Sequence, residues 1–212
     1  TELSRREYRE LDEISKAVIK YIKEVNEQPT VDELMINLDI NVRSANLIFN
    51  FINRISTQPL NEDYSNYPAK QIEEIDGLAV EILKMESTEK LDIVNLAYHF
   101  NTGVYSVKRA IEYITWIEEK INEDYVKSLR KDEKRAIGEK VRSALKYIKE
   151  KGKELDFNLL IGDIGYNLRD THLVIGLYNH IISQEVDIDS FNDQKQKEVE
   201  SIAREIYNAK KK

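Results

Sequence analysis

An internal repeat, which returns after 62 and then after 64 residues, limits the folds that this chain can adopt. When Thr30, Asp92 and Asp156 are placed in register, the next 26 residues of the three segments align without a gap. The main apolar columns are Val31/Ile93/Phe157, Leu34/Leu96/Leu160, Leu38/Phe100/Ile164, Val42/Val104/Leu168, Ile48/Ala110/Val174 and Ile55/Ile117/Ile181. Their spacings of three, four and seven residues predict two successive amphipathic helices in each segment.

A further column indicates where the first helix of each segment ends. It reads Asp39/Asn101/Gly165. These residue types tolerate a left-handed backbone, so the column predicts a sharp turn between the two helices. The residues that open the three segments are of types that cap helices. Longer helical patterns precede each pair, over residues 4–25, 68–85 and 132–151. Ser4 and Glu7 form a capping-box pattern, and Pro68 suits a first turn.

Composition supports an all-α fold class. The chain has 212 residues with only seven glycines and three prolines, and alternating β patterns are absent, which favours helices with short connections. Its apolar runs are far shorter than the ~20 residues that span a bilayer, and the first residues lack the apolar segment of a signal peptide. Zero cysteines fit a reducing compartment. We therefore expect a cytoplasmic protein with no membrane segment.

The repeat predicts three tandem units of about 60 residues each, over residues 1–58, 66–127 and 128–185, followed by a C-terminal helix within 186–212. Residues 57–67 are rich in turn formers and form the clearest linker. The junction over 118–131 has no helix breaker, so we expect continuous helix there. The terminal helix is expected to cap the third unit or to form a homodimer through its apolar face, which carries Val199, Ile202, Ala203 and Ile206.

At these columns the chain resembles the helix-turn-helix of DNA-binding regulators, which has a small residue in the first helix and a glycine at the turn. The second unit matches that pattern best, at Leu96, Ala97, Phe100, Asn101, Val104 and Val107. Met35 and Ile161 depart from it, since the family prefers alanine there. Residues 28–63 also resemble the third conserved region of bacterial sigma factors. No strand–turn–strand pattern follows any unit, so no wing is expected.

The resemblance implies that sequence is read by exposed residues at the start of each second helix. Carried over by alignment, these are Asn41, Arg43, Ser44, Asn46 and Asn50 in the first unit, Tyr105, Ser106, Lys108 and Arg109 in the second, and Asn167, Arg169 and His172 in the third. Arginine and asparagine suit guanine and adenine edges, and serine can reach phosphates. The alternative is that these residues form ordinary solvated faces, and Glu112 in the acidic second unit would repel phosphate.

A basic stretch lies in the third unit of this otherwise acidic chain, whose net charge is -7. Residues 127–153 hold eleven Lys and Arg against four Asp and Glu. On a helical wheel these residues form a basic stripe and an apolar stripe. The basic stripe consists of Lys131, Arg135, Arg142, Lys146, Lys149 and Lys153. The apolar stripe consists of Ile137, Val141, Ala144 and Ile148. The basic stripe could follow a phosphate backbone, dock on the acidic second unit or be a solvated face.

Residues for catalysis or metal binding are not arranged in any recognisable pattern. His99, His172 and His180 lack the spacing of a helical metal pair, and no phosphate-binding glycine loop occurs. We expect a non-enzymatic protein with no cofactor and no metal site. Two functions remain open. The first is a DNA-associated regulatory or architectural protein that binds duplex DNA, and the second is a helical adaptor that binds another protein, with the acidic second repeat as its docking surface.

Overall fold

The computed structural model describes residues 3–85 and 92–182, together with Ser201. In this part of the chain the backbone forms α-helices, one short 3-10 helix and one π-helical segment, with no β-strand. The prediction of an all-α fold class is confirmed. None of the described helices is long and apolar enough to cross a membrane.

The helices follow one another with short connections. In chain order they are α1 (Arg5–Val25), α2 (Val31–Leu38), α3 (Val42–Thr57), a 3-10 helix (Tyr64–Asn66), α4 (Ala69–Lys84), α5 (Ile93–His99), α6 (Val104–Lys120), α7 (Glu123–Ser128), α8 (Lys131–Lys151), a π-helical segment (Leu159–Ile164) and α9 (Leu168–Ile182). The predicted long helices over 4–25, 68–85 and 132–151 correspond to α1, α4 and α8.

The chain divides into two compact units, residues 1–114 and residues 115–212, with the boundary inside α6. In the first unit α1 packs against α2, α3 and α5, around a core that includes Val18, Ile19, Leu34, Ile48 and Ala97. In the second unit α9 packs against α8 and α7, around a core that includes Val141, Leu145, Leu160, Val174 and Leu177. The division into three repeats stays a prediction.

The predicted N-caps have local hydrogen bonds that explain why the helices begin where they do. Ser4 and Thr30 form capping boxes, each with the glutamate three residues later. Asp92 accepts a hydrogen bond from the backbone N–H three residues along at 2.8 Å, and Asp156 accepts the equivalent bond at 2.7 Å. These four caps were predicted from residue type and position.

The predicted turn residues adopt the left-handed backbone that the column indicated. The φ angles of Asp39, Asn101 and Gly165 are 51°, 49° and 80°. After each turn the next helix starts three residues later, so the registers match, and the three starting residues are Val42, Val104 and Leu168. In the third segment the helix before the turn ends in the π-helical geometry noted above.

The junction over residues 118–131 does not form the continuous helix that we expected. Helix α6 ends, and α7 and α8 follow as separate helices. Asn122 accounts for the first break, because its side-chain oxygen accepts a hydrogen bond from the backbone N–H of Tyr125 at 3.0 Å and caps α7. An asparagine can therefore open a new helix without glycine or proline.

Two other segments complete the comparison with the predicted organisation. The linker contains the 3-10 helix, and Tyr64 in that helix is buried. The predicted terminal helix, with Val199, Ile202 and Ile206, lies outside the described residues.

The leucines of the second apolar column occupy buried positions, as the alignment predicts. Leu34, Leu96 and Leu160 are 1%, 6% and 0% exposed. Leu34 belongs to the same short helix as Ile36, which is 80% exposed. The two residues therefore allow burial to be tested within one helix.

We predict that Leu34→Ala lowers the free energy of unfolding by ~2–5 kcal/mol, because it removes a buried aliphatic group and leaves a cavity. The exposed Ile36→Ala should change it by less than about 0.5 kcal/mol. Urea denaturation of both variants measures the difference. Equal losses would show that α2 is not oriented as described.

Candidate nucleic-acid interface

Helix α3 has the composition of a helix that could approach a phosphate backbone. It carries two arginines and no aspartate or glutamate. Its N-cap is Asn41, whose side-chain oxygen accepts a hydrogen bond from the backbone N–H of Ser44 at 2.9 Å. The buried residues of α3 are Ala45, Ile48, Phe51 and Ile55. This apolar side holds α3 in the core of the first unit and leaves the opposite side in solvent.

The solvent side of α3 carries most of the reading residues predicted for the first unit. The exposed polar side chains are Arg43, Asn46, Asn50, Asn53 and Arg54, while Ser44 is half-buried. The guanidinium group of Arg43 lies 3.0 Å from the carboxylate of Glu7 on α1, yet its side chain remains 74% exposed. The amide nitrogen of Asn46 donates to the backbone oxygen of Val42 at 2.7 Å. We name this exposed side the α3 face.

The start of α6 differs from the starts of α3 and α9 because it lacks a capping side chain. Gly103 aligns with Asn41 and Asn167, and each of those asparagines accepts a hydrogen bond from the third backbone N–H of its helix, at 2.9 and 2.8 Å. A Cβ on residue 103 would lie 2.0 Å from Oδ1 and 2.4 Å from the backbone oxygen of Asp12. Glycine is therefore required by the close approach of α1.

Asp12 of α1 supplies the missing cap. Its carboxylate accepts hydrogen bonds from the backbone N–H of Tyr105 at 2.7 Å and from the N–H and hydroxyl of Ser106 at 3.1 and 2.6 Å. The hydroxyl oxygen of Ser15 accepts a further bond from the backbone N–H of Val104 at 3.2 Å. Burial raises the pKa of Asp12, although the hydrogen bonds from Ser106 and Tyr105 act to lower it.

The expectation that Tyr105 and Ser106 lie on an exposed face is therefore wrong, while their role in reading DNA stays a prediction. Tyr105 is 6% exposed, and Ser106 is half-buried against α1. Both residues belong to the first turn of α6, where the free backbone N–H groups need acceptors. Because α1 provides these acceptors, it also covers the surface that would otherwise meet a ligand.

Arg109 is buried as well, which corrects its predicted exposure. Its Nε lies 3.2 Å from Oε2 of Glu62, and its guanidinium carbon lies 4.8 Å from the ring centre of Tyr67 and 5.2 Å from that of Tyr105. Tyr105 donates its hydroxyl to Glu62 at 2.5 Å, and Tyr64 donates to the backbone oxygen of Arg109 at 3.1 Å. Burial raises the pKa of both tyrosines. This cluster fastens residues 58–67 onto α6.

Lys108 and Glu112 are also engaged within the first unit. The two side chains form an ion pair at 3.6 Å and are only 16% and 22% exposed. Glu112 additionally accepts hydrogen bonds from the backbone N–H of Leu60 at 2.9 and 3.1 Å. The reading residues predicted on α6 thus serve internal packing.

The start of α9 shows a mixed arrangement. Arg169 is exposed, whereas the neighbouring Asp170 forms an ion pair with Lys140 of α8. His172 is half-buried, and its ring packs against Phe157 with the ring centres 5.0 Å apart. Burial lowers the pKa of His172.

The two stripes predicted on α8 separate as expected along most of the helix. The apolar residues Ile137, Val141, Ala144 and Ile148 are buried, while Lys131, Arg135, Lys146 and Lys149 are exposed. Arg142 is half-buried, and its guanidinium group lies 3.9 Å from Glu139. We name the side of α8 that carries these four exposed basic residues the α8 face.

Lys153 departs from its predicted place on the stripe. Helix α8 ends at Lys151, and its C-cap Gly152 has a left-handed backbone with φ of 64°, so Lys153 lies beyond the helix. Its ammonium group forms a hydrogen-bonded ion pair with Asp163, which raises the pKa of Lys153. The stripe therefore ends at Lys149.

Comparison with known proteins gives no assignment for these surfaces. No protein-family model matches the chain, and no curated protein sequence or solved structure is significantly similar to it. Among the described residues, no group of three or more His, Asp or Glu side chains is placed to hold a metal ion.

Two features of the interface were missed at the sequence level. Asn53 lies three residues after Asn50, and this helical spacing could have added it to the reading residues. The role of Asp12 had a weaker signal, namely the glycine at position 103 in a column of asparagines. That column shows that α6 lacks an N-capping side chain, but it does not show which distant residue accepts the hydrogen bonds instead.

We predict that Gly103→Ala lowers the free energy of unfolding of the first unit by ~1–3 kcal/mol, because the added methyl group overlaps the backbone of Asp12. The matched control is Gly77→Ala on α4, where an added Cβ has no neighbour within 4 Å. That change should raise the free energy of unfolding by ~0.5–1 kcal/mol, since alanine favours a helix interior. Chemical denaturation measures both changes in the free energy of unfolding, which should have opposite signs. If Gly103→Ala leaves this free energy unchanged, the close approach of α1 is contradicted.

Proposed function

We propose that this chain is a non-enzymatic, DNA-associated regulatory or architectural protein that contacts duplex DNA with the α3 face. The observation that carries the proposal is the exposed side of α3, whose own residues include asparagine and arginine but no carboxylate, in a protein of net charge -7. The carboxylate of Glu7 on α1 lies beside it and is paired with Arg43. A helix of this kind can enter the major groove without repelling phosphates. The absence of cysteine supports a cytoplasmic location.

The helix-turn-helix arrangement supports the same proposal. Helices α2 and α3 are joined by a turn through Asp39, and α3 starts with a capped, exposed end, as in a reading helix. We propose that the three helix pairs are variants of one helix-turn-helix unit. In this proposal the first pair keeps an open reading face, while the second pair uses the equivalent residues to bind α1 and residues 58–67.

The α8 face provides a second, separate contact in the proposal. Lys131 and Lys146 are exposed and could each neutralise a phosphate, which would release bound counterions. Such contacts carry no sequence information, because every duplex has the same backbone. The α8 face would therefore add affinity, and the α3 face would add selectivity.

An adaptor that binds another protein is the second candidate. Helix α4 exposes Glu73, Glu74 and Glu81, and Tyr98 on α5 is 47% exposed. Exposed acidic residues and an exposed aromatic ring each suit a basic protein partner. If this candidate is correct, the acidic residues of α4 and not the α3 face determine binding.

We predict that the protein binds a labelled duplex of about 20 base pairs, with an affinity that falls steeply as salt rises. Asn50→Asp should weaken binding at low salt by about 1 kcal/mol, or roughly fivefold, because it places a carboxylate near phosphates. Fluorescence anisotropy titrations measure both effects.

The control is Asn101→Asp, which adds the same charge at the turn before α6. Asn101 is exposed with φ of 49°, and Asp39 holds the equivalent turn at φ of 51°, so the change should fold normally. Its binding should match that of the unchanged protein. Absence of duplex binding at low salt would exclude the DNA proposal. A loss of affinity in Asn101→Asp but not in Asn50→Asp would show that DNA contacts the second helix pair instead of the α3 face.

A further inference from the structure

The α3 face also indicates which base pairs it could distinguish, an inference that rests on the proposed DNA-binding function. We propose that α3 selects A·T base pairs through adenine contacts made by Asn46, Asn50 and Asn53. An asparagine amide matches adenine in the major groove, because it can accept from N6 and donate to N7 at the same time. A guanine edge offers two acceptors and favours arginine instead.

The three asparagines have the spacing of a reading stripe. Steps of four and three residues keep them on one side of the helix. Seven residues at 1.5 Å each span about 10.5 Å, which corresponds to roughly three base steps of 3.4 Å. The hydrogen bond from Asn46 to the backbone oxygen of Val42 uses one N–H, so the second N–H and the carbonyl oxygen remain for adenine.

The arginines on α3 are less suited to read guanine, because each has a partner on α1. Arg43 pairs with Glu7 at 3.0 Å, and Arg54 lies 5.9 Å from the ring centre of Tyr8. Glu7 is itself held in place by the N–H and hydroxyl of Ser4, both at 2.9 Å. A bidentate guanine contact would require an arginine to leave these partners, whereas Asn46 can keep its bond to Val42 and still offer one N–H and its carbonyl oxygen.

Two exposed aliphatic residues on α3 favour the same base pair. Val42 is 56% exposed and Leu47 is 36% exposed. The methyl group of thymine is the apolar group that a major groove presents, and contact with it would bury these side chains. Adenine contacts by asparagine and thymine contacts by aliphatic residues together select A·T pairs.

The experiment compares two duplexes with identical flanks, one with an A·T core and one with a G·C core, by anisotropy titration at fixed salt. The unchanged protein should bind the A·T core at least about tenfold more tightly, because each lost bidentate contact costs roughly 5- to 150-fold in affinity. Asn50→Ala should reduce binding to the A·T core and leave the G·C core unaffected. The matched control is Asn158→Ala, an exposed asparagine in the second unit, which should preserve the preference.

A third duplex separates direct reading from groove shape. Replacing the adenines by 7-deazaadenine removes the N7 acceptor from the major groove and leaves the minor groove unchanged. The preference should fall with this substitution if asparagine reads adenine. A preference that survives it, or a preference for the G·C core, would overturn the inference. Equal, salt-sensitive binding to both cores would also overturn it but keep the proposed function, whereas no binding to either duplex would remove both.

Discussion

The hydrogen bonds from the start of α6 to the carboxylate of Asp12 determine which surface of the first unit is open. They join residues more than 90 positions apart in the chain and supply the acceptors that a helix N-terminus requires. Gly103 makes them possible, because any side chain at that position would overlap Asp12. Helix α6 is therefore fixed against α1 by its first turn.

This arrangement gives two related helix pairs different roles. Helix α3 has its own cap in Asn41, so its N-terminus needs no acceptor from another helix and its polar side stays in solvent. Helix α6 depends on α1 for its cap, and Arg109 is enclosed by Glu62 and two tyrosine rings. The same pattern of residues thus leaves a free surface in the first pair and an internal contact in the second.

Local interactions were the part of this structure that the sequence could predict. The caps and the turns at Asp39, Asn101 and Gly165 depend on a few consecutive residues, and each was expected from residue type. Exposure on α6 could not be predicted, because it depends on Asp12, which no local pattern connects to α6. The prediction of a continuous helix through Asn122 failed for a different reason, since asparagine is tolerated within a helix and can also cap the start of one. The DNA-binding residues stay predictions.

The most direct test of this account is an NMR titration of the protein with duplex DNA. Side-chain amide signals of Asn46, Asn50 and Asn53 should shift as DNA is added, because these groups lie on the exposed side of α3. The backbone amide signals of Tyr105 and Ser106 should remain unchanged, because they are bound to Asp12. Shifts confined to the start of α6, with the α3 asparagines unaffected, would contradict the account.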